Sequence, residues 1–261
     1  MAKVLVITGG SSGIGKAAAE LFALRGYHVY ELSRSGQSTD RIEHISCDVT
    51  LTEQTRMAVD KVVEKEGRVD VLLNNAGYGI SGAIEFTDLS DAKRQFDVNF
   101  FGALNMVQAV LPQMRKQKAG RIVFTSSVAA VLSIPYQAFY SASKSAINAL
   151  ALALRNEVKD FGITVTALMP GDVATGFTNA RSKSQAGSDI YTHMQNAVSA
   201  MEKDEQNGMT CEYLARQLYK LATRQNPKPL YTAGLQYRLF VVLEKLLPKR
   251  LSNWIVGKLY N

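Results

Sequence analysis

Tyr140 and Lys144 stand four residues apart in YSASK, with only Ser141, Ala142 and Ser143 between them. On a helix, positions i and i+4 share one face, so the phenol and the amine are neighbours. A free phenol titrates at about 10 and stays protonated at neutral pH. A cation beside it favours the phenolate. Drawing the phenol down to about 7 takes about 4 kcal/mol, at about 1.36 per unit. A tyrosine held in that range takes a proton from an alcohol or gives one to a carbonyl. The small residues between the two keep that helix face clear of bulk. Alone, the spacing fits any amphipathic helix, so its meaning rests on the rest of the chain.

A second group of residues suits a phosphate. TGGSSGIG (8–15) joins a strand-like run to a helix-like one. Its glycines permit a tight turn, and backbone N–H groups at a helix N-terminus attract a pyrophosphate. The spacing is G-x-x-x-G-x-G, at Gly9, Gly13 and Gly15. GGSSG also fits the G-x-S-x-G elbow of serine hydrolases. That elbow needs an earlier strand–helix loop for its oxyanion hole and a late histidine. Only eight residues precede this turn, and the last histidine, His193, falls in a polar stretch. A hydrolase is therefore disfavoured.

The end of the next strand bears on the nucleotide. Enzymes of NAD place an acid there for the ribose 2′-hydroxyl. Here ELSRS puts Ser33 in that place, followed by Arg34. A hydroxyl and a guanidinium suit a 2′-phosphate, so NADP(H) is the expected cofactor. Glu31 is the counter-signal, and this reading expects it to be directed away from the neighbourhood of Ser33 in a regular strand.

The elements that must position these groups alternate between strand and helix. KVLVIT (3–8), HVYELS (28–33), IEHISCDV (42–49), VDVLLNNAG (69–77), RIVFTSS (121–127) and ITVTALMPG (163–171) read as strands. Helices are expected at AAAELFALRG, 52–66, 90–118 with a bend at Pro112, and about 138–161. Continuous apolar runs in this order predict an α/β fold of Rossmann type. That is one doubly wound parallel sheet in a single domain over 1–261, with a C-terminal helical extension. Residues 172–210 are polar and predict a substrate lid, with a helix near 189–203. A helix over 211–224 and a strand near 229–232 follow.

Composition is ordinary for a globular chain, with 46% hydrophobic and 20% charged residues. Two cysteines (Cys47, Cys211) and three histidines (His28, His44, His193) form no metal motif, so no metal is expected. The apolar start at KVLVIT leaves no leader to expect, and no run is long enough to span a bilayer. A cytoplasmic location is the expectation. The net charge is +7, yet six basic residues and one acid lie from Lys228 onward. The excess is local and does not predict a nucleic-acid partner.

Six segments together resemble the short-chain dehydrogenase/reductase family: TGGSSGIG, NNAG (74–77), VNFFG (98–102), TSSVAA (125–130), YSASK and PGDVAT (170–175). The resemblance runs over about residues 3–235. It implies a catalytic set of Asn99, Ser127, Tyr140 and Lys144. Ser127 is preferred to Ser126 because the family's serine usually stands 13 residues before its tyrosine. Tyr140 would act as general acid or base and Ser127 as hydrogen-bond donor to the substrate oxygen. Asn99 would hold a water linking Lys144 to solvent. The resemblance also implies that Gly9, Ser11, Ser12, Gly13, Ile14 and Gly15 surround the pyrophosphate and ribose, and that Asp48 and Val49 hold the adenine. Asn75, Ala76 and Gly77 would line the ribose and adenine side. Pro170, Gly171, Val173 and Thr175 would hold the carboxamide, while Tyr140 and Lys144 also touch the cofactor. A homodimer or homotetramer is implied, with helices 90–118 and 142–154 at the interface.

The loops most resemble the 17β-hydroxysteroid dehydrogenase-like branch. That implies interconversion of a secondary alcohol and a ketone on a lipophilic small molecule, a hydroxysteroid first. Acyl-dihydroxyacetone-phosphate and retinal-type reduction are the alternatives. Val131, Leu132, Ile134, Tyr136 and Phe139 are the expected apolar pocket residues. A non-catalytic NADP(H)-binding redox sensor is the reading from another class, but such proteins typically lose the tyrosine or the lysine. The extension at about 237–261 mixes apolar and basic residues around Pro248. Two readings stand for it: a cover over the pocket, and a peripheral membrane contact.

Overall fold

The computed structural model describes residues 2–260. The first five strands are β1 (Val4–Thr8), β2 (His28–Ser33), β3 (Ile42–Ser46), β4 (Val71–Asn74) and the two-residue β5 (Ile80–Ser81). Then come β6 (Gly120–Thr125), β7 (Ile163–Met169), the short β8 (Ser182–Lys183) and β9 (Leu230–Thr232). Seven of them form one parallel sheet in the order β3-β2-β1-β4-β6-β7-β9, and β5 pairs with β8 beside it.

The apolar strand runs are explained by cover on both faces. On one side α1 (Gly13–Leu24) and α8 (Cys211–Thr223) bury Ala18, Phe22, Leu214 and Leu218 against Leu5, Ile7 and Leu73. On the other, α2 (Thr52–Glu66), α4 (Gly102–Lys116) and α5 (Ala138–Glu157) bury Val62, Met106, Val110, Ile147 and Leu154 against Val6, Leu72 and Ile122. This is the Rossmann-type sheet expected from the strand–helix alternation. The strand order reverses between β1 and β4, so a crevice opens at their carboxyl ends, where such sheets bind ligands.

The helix expected over 90–118 is two helices. α3 (Leu89–Phe96) gives way to a π-helical turn, Asp97–Phe101, before α4 begins. Pro112 lies inside α4, which runs on to Lys116. The interruption therefore falls at the VNFFG segment, where it re-aims Asn99. Single-turn π segments are frequent at functional sites.

Residues 172–210 fold as α6 (Phe177–Ala180), β8 and α7 (Met194–Gln206). α7 starts later than the polar composition suggested because Met194, Ala197 and Met201 are the residues it buries. The chain ends in α9 (Leu235–Leu246) and α10 (Lys249–Leu259), split at Pro248, which lacks the N–H an interior helical residue needs. Among the described residues, no helix is long and apolar enough to cross a membrane.

Candidate active site

The glycine turn after β1 is shaped by its own sterics. Gly9 and Gly13 take φ of 64° and 53°, the left-handed region that glycine enters without cost. A Cβ on Gly15 would overlap the Gly9 carbonyl and lie 2.6 Å from Asn75 Nδ2. Asn75 braces this turn: its amide donates to the carbonyls of Thr8 (3.3 Å) and Gly9 (3.2 Å). Its Oδ1 accepts from Thr125 Oγ1 at 3.1 Å, so the side chain links β1, β4 and β6. The backbone N–H groups of Asn75 and Ala76 both donate to Thr8 Oγ1 at 3.0 Å. Asn75 thus holds the turn in shape. Ser11 and Ser12 are exposed at the N-terminus of α1, and Ile14 turns its side chain into the core.

At the adenosine end, Arg34 is exposed beyond β2 and Ser33 donates to the Ser35 carbonyl at 3.1 Å. Asp48 Oδ1 accepts from Thr50 N (3.0 Å) and Thr50 Oγ1 (2.8 Å). Burial opposes its charge, but Thr50, Arg34 and Arg94 prevail and hold the carboxyl below its usual range. Val49 is buried against Gly102, and its carbonyl accepts from Asn105 Nδ2 at 2.9 Å.

The expectation for Glu31 is corrected. β2 is regular, and in a regular strand residues i and i+2 share a face, so Glu31 lies on the same side as Ser33. It is buried beneath the glycine turn, where a Cβ on Gly10 would come 2.5 Å from its Cγ. His44 Nδ1 meets Glu31 Oε2 at 2.6 Å, which occupies one of the two carboxylate oxygens.

α5 and β6 bring the catalytic candidates together. Lys144 is buried and donates to the Thr125 carbonyl at 2.8 Å. Its Nζ lies 5.7 Å from the centre of the Tyr140 ring. Burial pushes the amine down to about 8. Burial also pushes the Tyr140 phenol up to about 12, and the hydrogen bond from Ser127 only partly offsets it. Among the chain's own groups burial has the larger influence on the phenol; the positive ring of an oxidised nicotinamide would favour the phenolate. Ser127 Oγ accepts from Ala129 N at 3.1 Å, which leaves its hydrogen free to donate outward. Ser126 gives its hydroxyl to the Lys144 carbonyl at 3.2 Å and faces away from the phenol's chemistry.

Asn99 is buried in the π turn. Its Nδ2 donates to the Tyr78 carbonyl (3.0 Å) and Ser143 Oγ (3.1 Å), and its Oδ1 accepts from Tyr78 N at 3.0 Å. Asn99 and Lys144 both close on Gly77: a Cβ there would stand 3.0 Å from Asn99 Oδ1 and 3.5 Å from Lys144 Nζ. A side chain at residue 77 would crowd both the Asn99 amide and the Lys144 amine.

The loop after β7 closes the other wall. Val128 N donates to the Pro170 carbonyl at 2.9 Å, and Val173 pairs with Met209 in a β-bridge. Thr175 lies over Gly13, whose Cβ would be 3.7 Å from it. Gly171 packs so tightly against the Tyr237 ring of α9 that any side chain would overlap it. Tyr237 Oη donates to Asp172 Oδ2 at 2.6 Å. Phe177 of α6 packs against Tyr140 with its ring tilted by 56° and 5.7 Å between ring centres, and the buried Arg181 guanidinium lies 5.6 Å from the centre of the Phe177 ring.

Sequence reasoning missed several of these. Thr125 and Tyr78 act through backbone atoms, which no residue type announces. Ser143 sits inside YSASK, and its hydroxyl ties Asn99 to the Tyr140 carbonyl, to which it donates at 2.8 Å. Tyr237 reaches Asp172 from 65 residues away. The aspartate of PGDVAT was the one available sign of that contact.

A crevice at the strand reversal, lined by a glycine turn and a Ser–Tyr–Lys set, has a counterpart among known proteins. Residues 3–186 match the short chain dehydrogenase family. The protein is a short-chain dehydrogenase/reductase. It is 37% identical over 263 residues to a 3-ketodihydrosphingosine reductase of Bacteroides thetaiotaomicron, covering 99% of this chain and 98% of that one. Among solved structures, a short-chain dehydrogenase/reductase of Burkholderia phymatum in complex with NAD superposes with a TM-score of 0.80 at 26% identity, over 93% of this chain and 92% of the other. ElxO with NADP bound superposes with a TM-score of 0.78 at 28% identity, over 92% of this chain and all of the other, 100%. This dehydrogenase/reductase is thus an oxidoreductase of a family that uses nicotinamide cofactors.

Proposed function

We propose that this protein uses NADP(H) to interconvert a ketone and a secondary alcohol on a long-chain lipophilic substrate. The observation that carries the reading is the meeting of Ser127, Tyr140 and the buried Lys144 amine beside Gly77. The residues fit a dinucleotide: a glycine turn that side chains would fill, and an amine whose one described partner is the Thr125 carbonyl. That leaves donors on Lys144 for ribose hydroxyls. The chemistry supplied by a bound nicotinamide is hydride transfer at the carbonyl carbon.

The chain's own groups handle the oxygen. Ser127, with its lone pair held by Ala129 N, turns its hydrogen to the substrate oxygen as charge develops there. The Tyr140 phenol, held up to about 12, keeps its proton at neutral pH and delivers it to the same oxygen. The same hydroxyl gives a proton to that oxygen in reduction and its oxygen takes one back in oxidation. Arg34, exposed at the end of β2, supports NADP(H) over NAD(H). Glu31 does not overturn this, because it is buried beneath the turn with one oxygen hydrogen-bonded to His44.

The substrate reading rests on half-buried Val131, Leu132, Ile134, Tyr136 and Phe139, and on Phe177 across Tyr140. The activity named for the Bacteroides relative supports an open-chain keto lipid ahead of the hydroxysteroid suggested by the loops. A cytoplasmic homodimer or homotetramer completes the reading. Steady-state NADPH consumption tests it with a long-chain 3-keto amino alcohol, a steroid ketone, retinal and a small water-soluble ketone. Turnover of the first at about tenfold the efficiency of the steroid supports the lipid reading. NADPH binding with no ketone reduced would make the protein a binding module instead.

A further inference from the structure

α9 turns two apolar faces in opposite directions. Tyr237 and Val241 point inward, where they cluster with Val128, Val131 and Met209 next to the catalytic serine. Leu235, Leu239, Val242 and Leu246 recur at i, i+4, i+7 and i+11, so they form one stripe on the side of the helix away from that cluster. They are 83%, 56%, 50% and 75% exposed. α10 repeats the pattern: Ser252 and Val256 are buried, while Leu251, Trp254, Ile255 and Leu259 are exposed. Two consecutive helices thus present leucines and the chain's one tryptophan to the outside. Singly exposed apolar residues are normal, but a contiguous patch on two helices marks an interaction surface.

Charge chooses the partner. Between 235 and 260 the chain carries five basic residues (Arg238, Lys245, Lys249, Arg250, Lys258) and one acid, Glu244. Glu244 is paired with Lys249. Arg238 is also engaged, its guanidinium 4.9 Å over the Tyr231 ring. Lys245, Arg250 and Lys258 remain exposed around the leucines. A second copy docked on this face would bring like charges together. An anionic lipid surface satisfies both components, since apolar side chains enter the acyl boundary while long basic side chains reach the headgroups.

We infer that α9 and α10 form an interfacial anchor for an anionic membrane, with the helix that roofs the active site lying at the lipid surface. Tyr237 joins the two functions, because the helix that would enter the interface is bonded through it to Asp172 in the loop after β7. A lipid ketone then reaches Ser127 and Tyr140 without crossing bulk water. This last step rests on the proposed lipid substrate; the anchor itself does not.

The full-length protein is sedimented with phosphatidylcholine vesicles, with and without phosphatidylglycerol, at low and high salt. At low salt the anionic vesicles should hold about tenfold more protein than the neutral ones, and high salt should erase the difference. Leu239→Asn with Leu246→Asn should cut binding about tenfold, and Lys245→Glu with Arg250→Glu should remove the preference for phosphatidylglycerol. Neither pair should change reduction of a small water-soluble ketone or the mass in light scattering. A parent protein that ignores anionic vesicles at low salt overturns the inference. So does a fall in mass in the leucine variant, which would assign the face to a second copy. Failure to reduce any ketone would remove the proposed function while leaving the vesicle result to stand or fall alone.

Discussion

The Lys144 amine lies 5.7 Å from the centre of the Tyr140 ring, and burial drives the two groups toward their neutral forms from opposite directions. The phenol goes up to about 12 and the amine down to about 8. The pair is an acid that keeps its proton beside a cation on the edge of losing one. For the lysine, the unfolded chain binds the proton more tightly than the folded one, so between about pH 8 and about 10.5 stability rises with pH. At neutral pH the buried charge costs on the order of 3 kcal/mol. Lys144→Met lacks that term. Urea titrations should show the parent gaining on the variant by a few kcal/mol from pH 7 to pH 10, on the order of the shift. A gap that stays constant across this range contradicts the burial argument.

The proposed preference for NADP(H) rests on Arg34. Replacing Ser33 by Asp and Arg34 by Leu places a carboxylate where the 2′-phosphate would sit and removes its counter-charge. The ratio of kcat/KM for NADPH over NADH should fall by about a hundredfold or more. Glu31→Gln should shift it far less, because that carboxylate is already paired with His44. A parent that uses both coenzymes equally shows that Arg34 does not select.

Tyr237→Phe removes the donor to Asp172 Oδ2 while keeping the ring that packs on Gly171. Burial already raises the Asp172 carboxyl, and Tyr237 is the group that counters it. The variant should lose about 1 kcal/mol of stability, because a half-buried acceptor loses its hydrogen-bond donor. Turnover should fall with it, since the loop after β7 is held by the same contact. Unchanged urea midpoints and unchanged kcat would show that α9 merely rests on the loop.

Assembly is expected to use α4 and α5. The outer side of α5 carries exposed Ala142, Ala149, Leu152 and Ala153, and Phe101 is exposed at the start of α4. Small residues there let helices approach closely, as the family resemblance implies. Light scattering should report a dimer or tetramer, and Phe101→Asp with Leu152→Asp should give a monomer. A monomeric parent contradicts this.

The sheet and most helix boundaries were legible because apolar runs and glycines state them directly: α2 spans Thr52–Glu66, where the sequence argument put a helix over 52–66. The π turn at Asp97–Phe101 was not, since it differs from a helix by one residue in the hydrogen-bond ladder and leaves no change in residue type. The same limit governs the site. Motif residues are named by type, but Asn75 braces the glycine turn and Lys144 leans on the Thr125 carbonyl through geometry alone. The direction of Glu31 was misjudged, because residues i and i+2 of a regular strand share a face. The depth of burial at Tyr140 and Lys144 was not legible, since it depends on the elements packed around them.

Proton donation by Tyr140 in ketone reduction is open to a direct test. Tyr140→Phe keeps the ring that packs against Phe177 and removes only the hydroxyl. Single-turnover NADPH oxidation with a saturating ketone measures the step directly. The account predicts a fall of about a thousandfold or more, with NADPH affinity within a few-fold of the parent. A rate within tenfold of the parent's would contradict it.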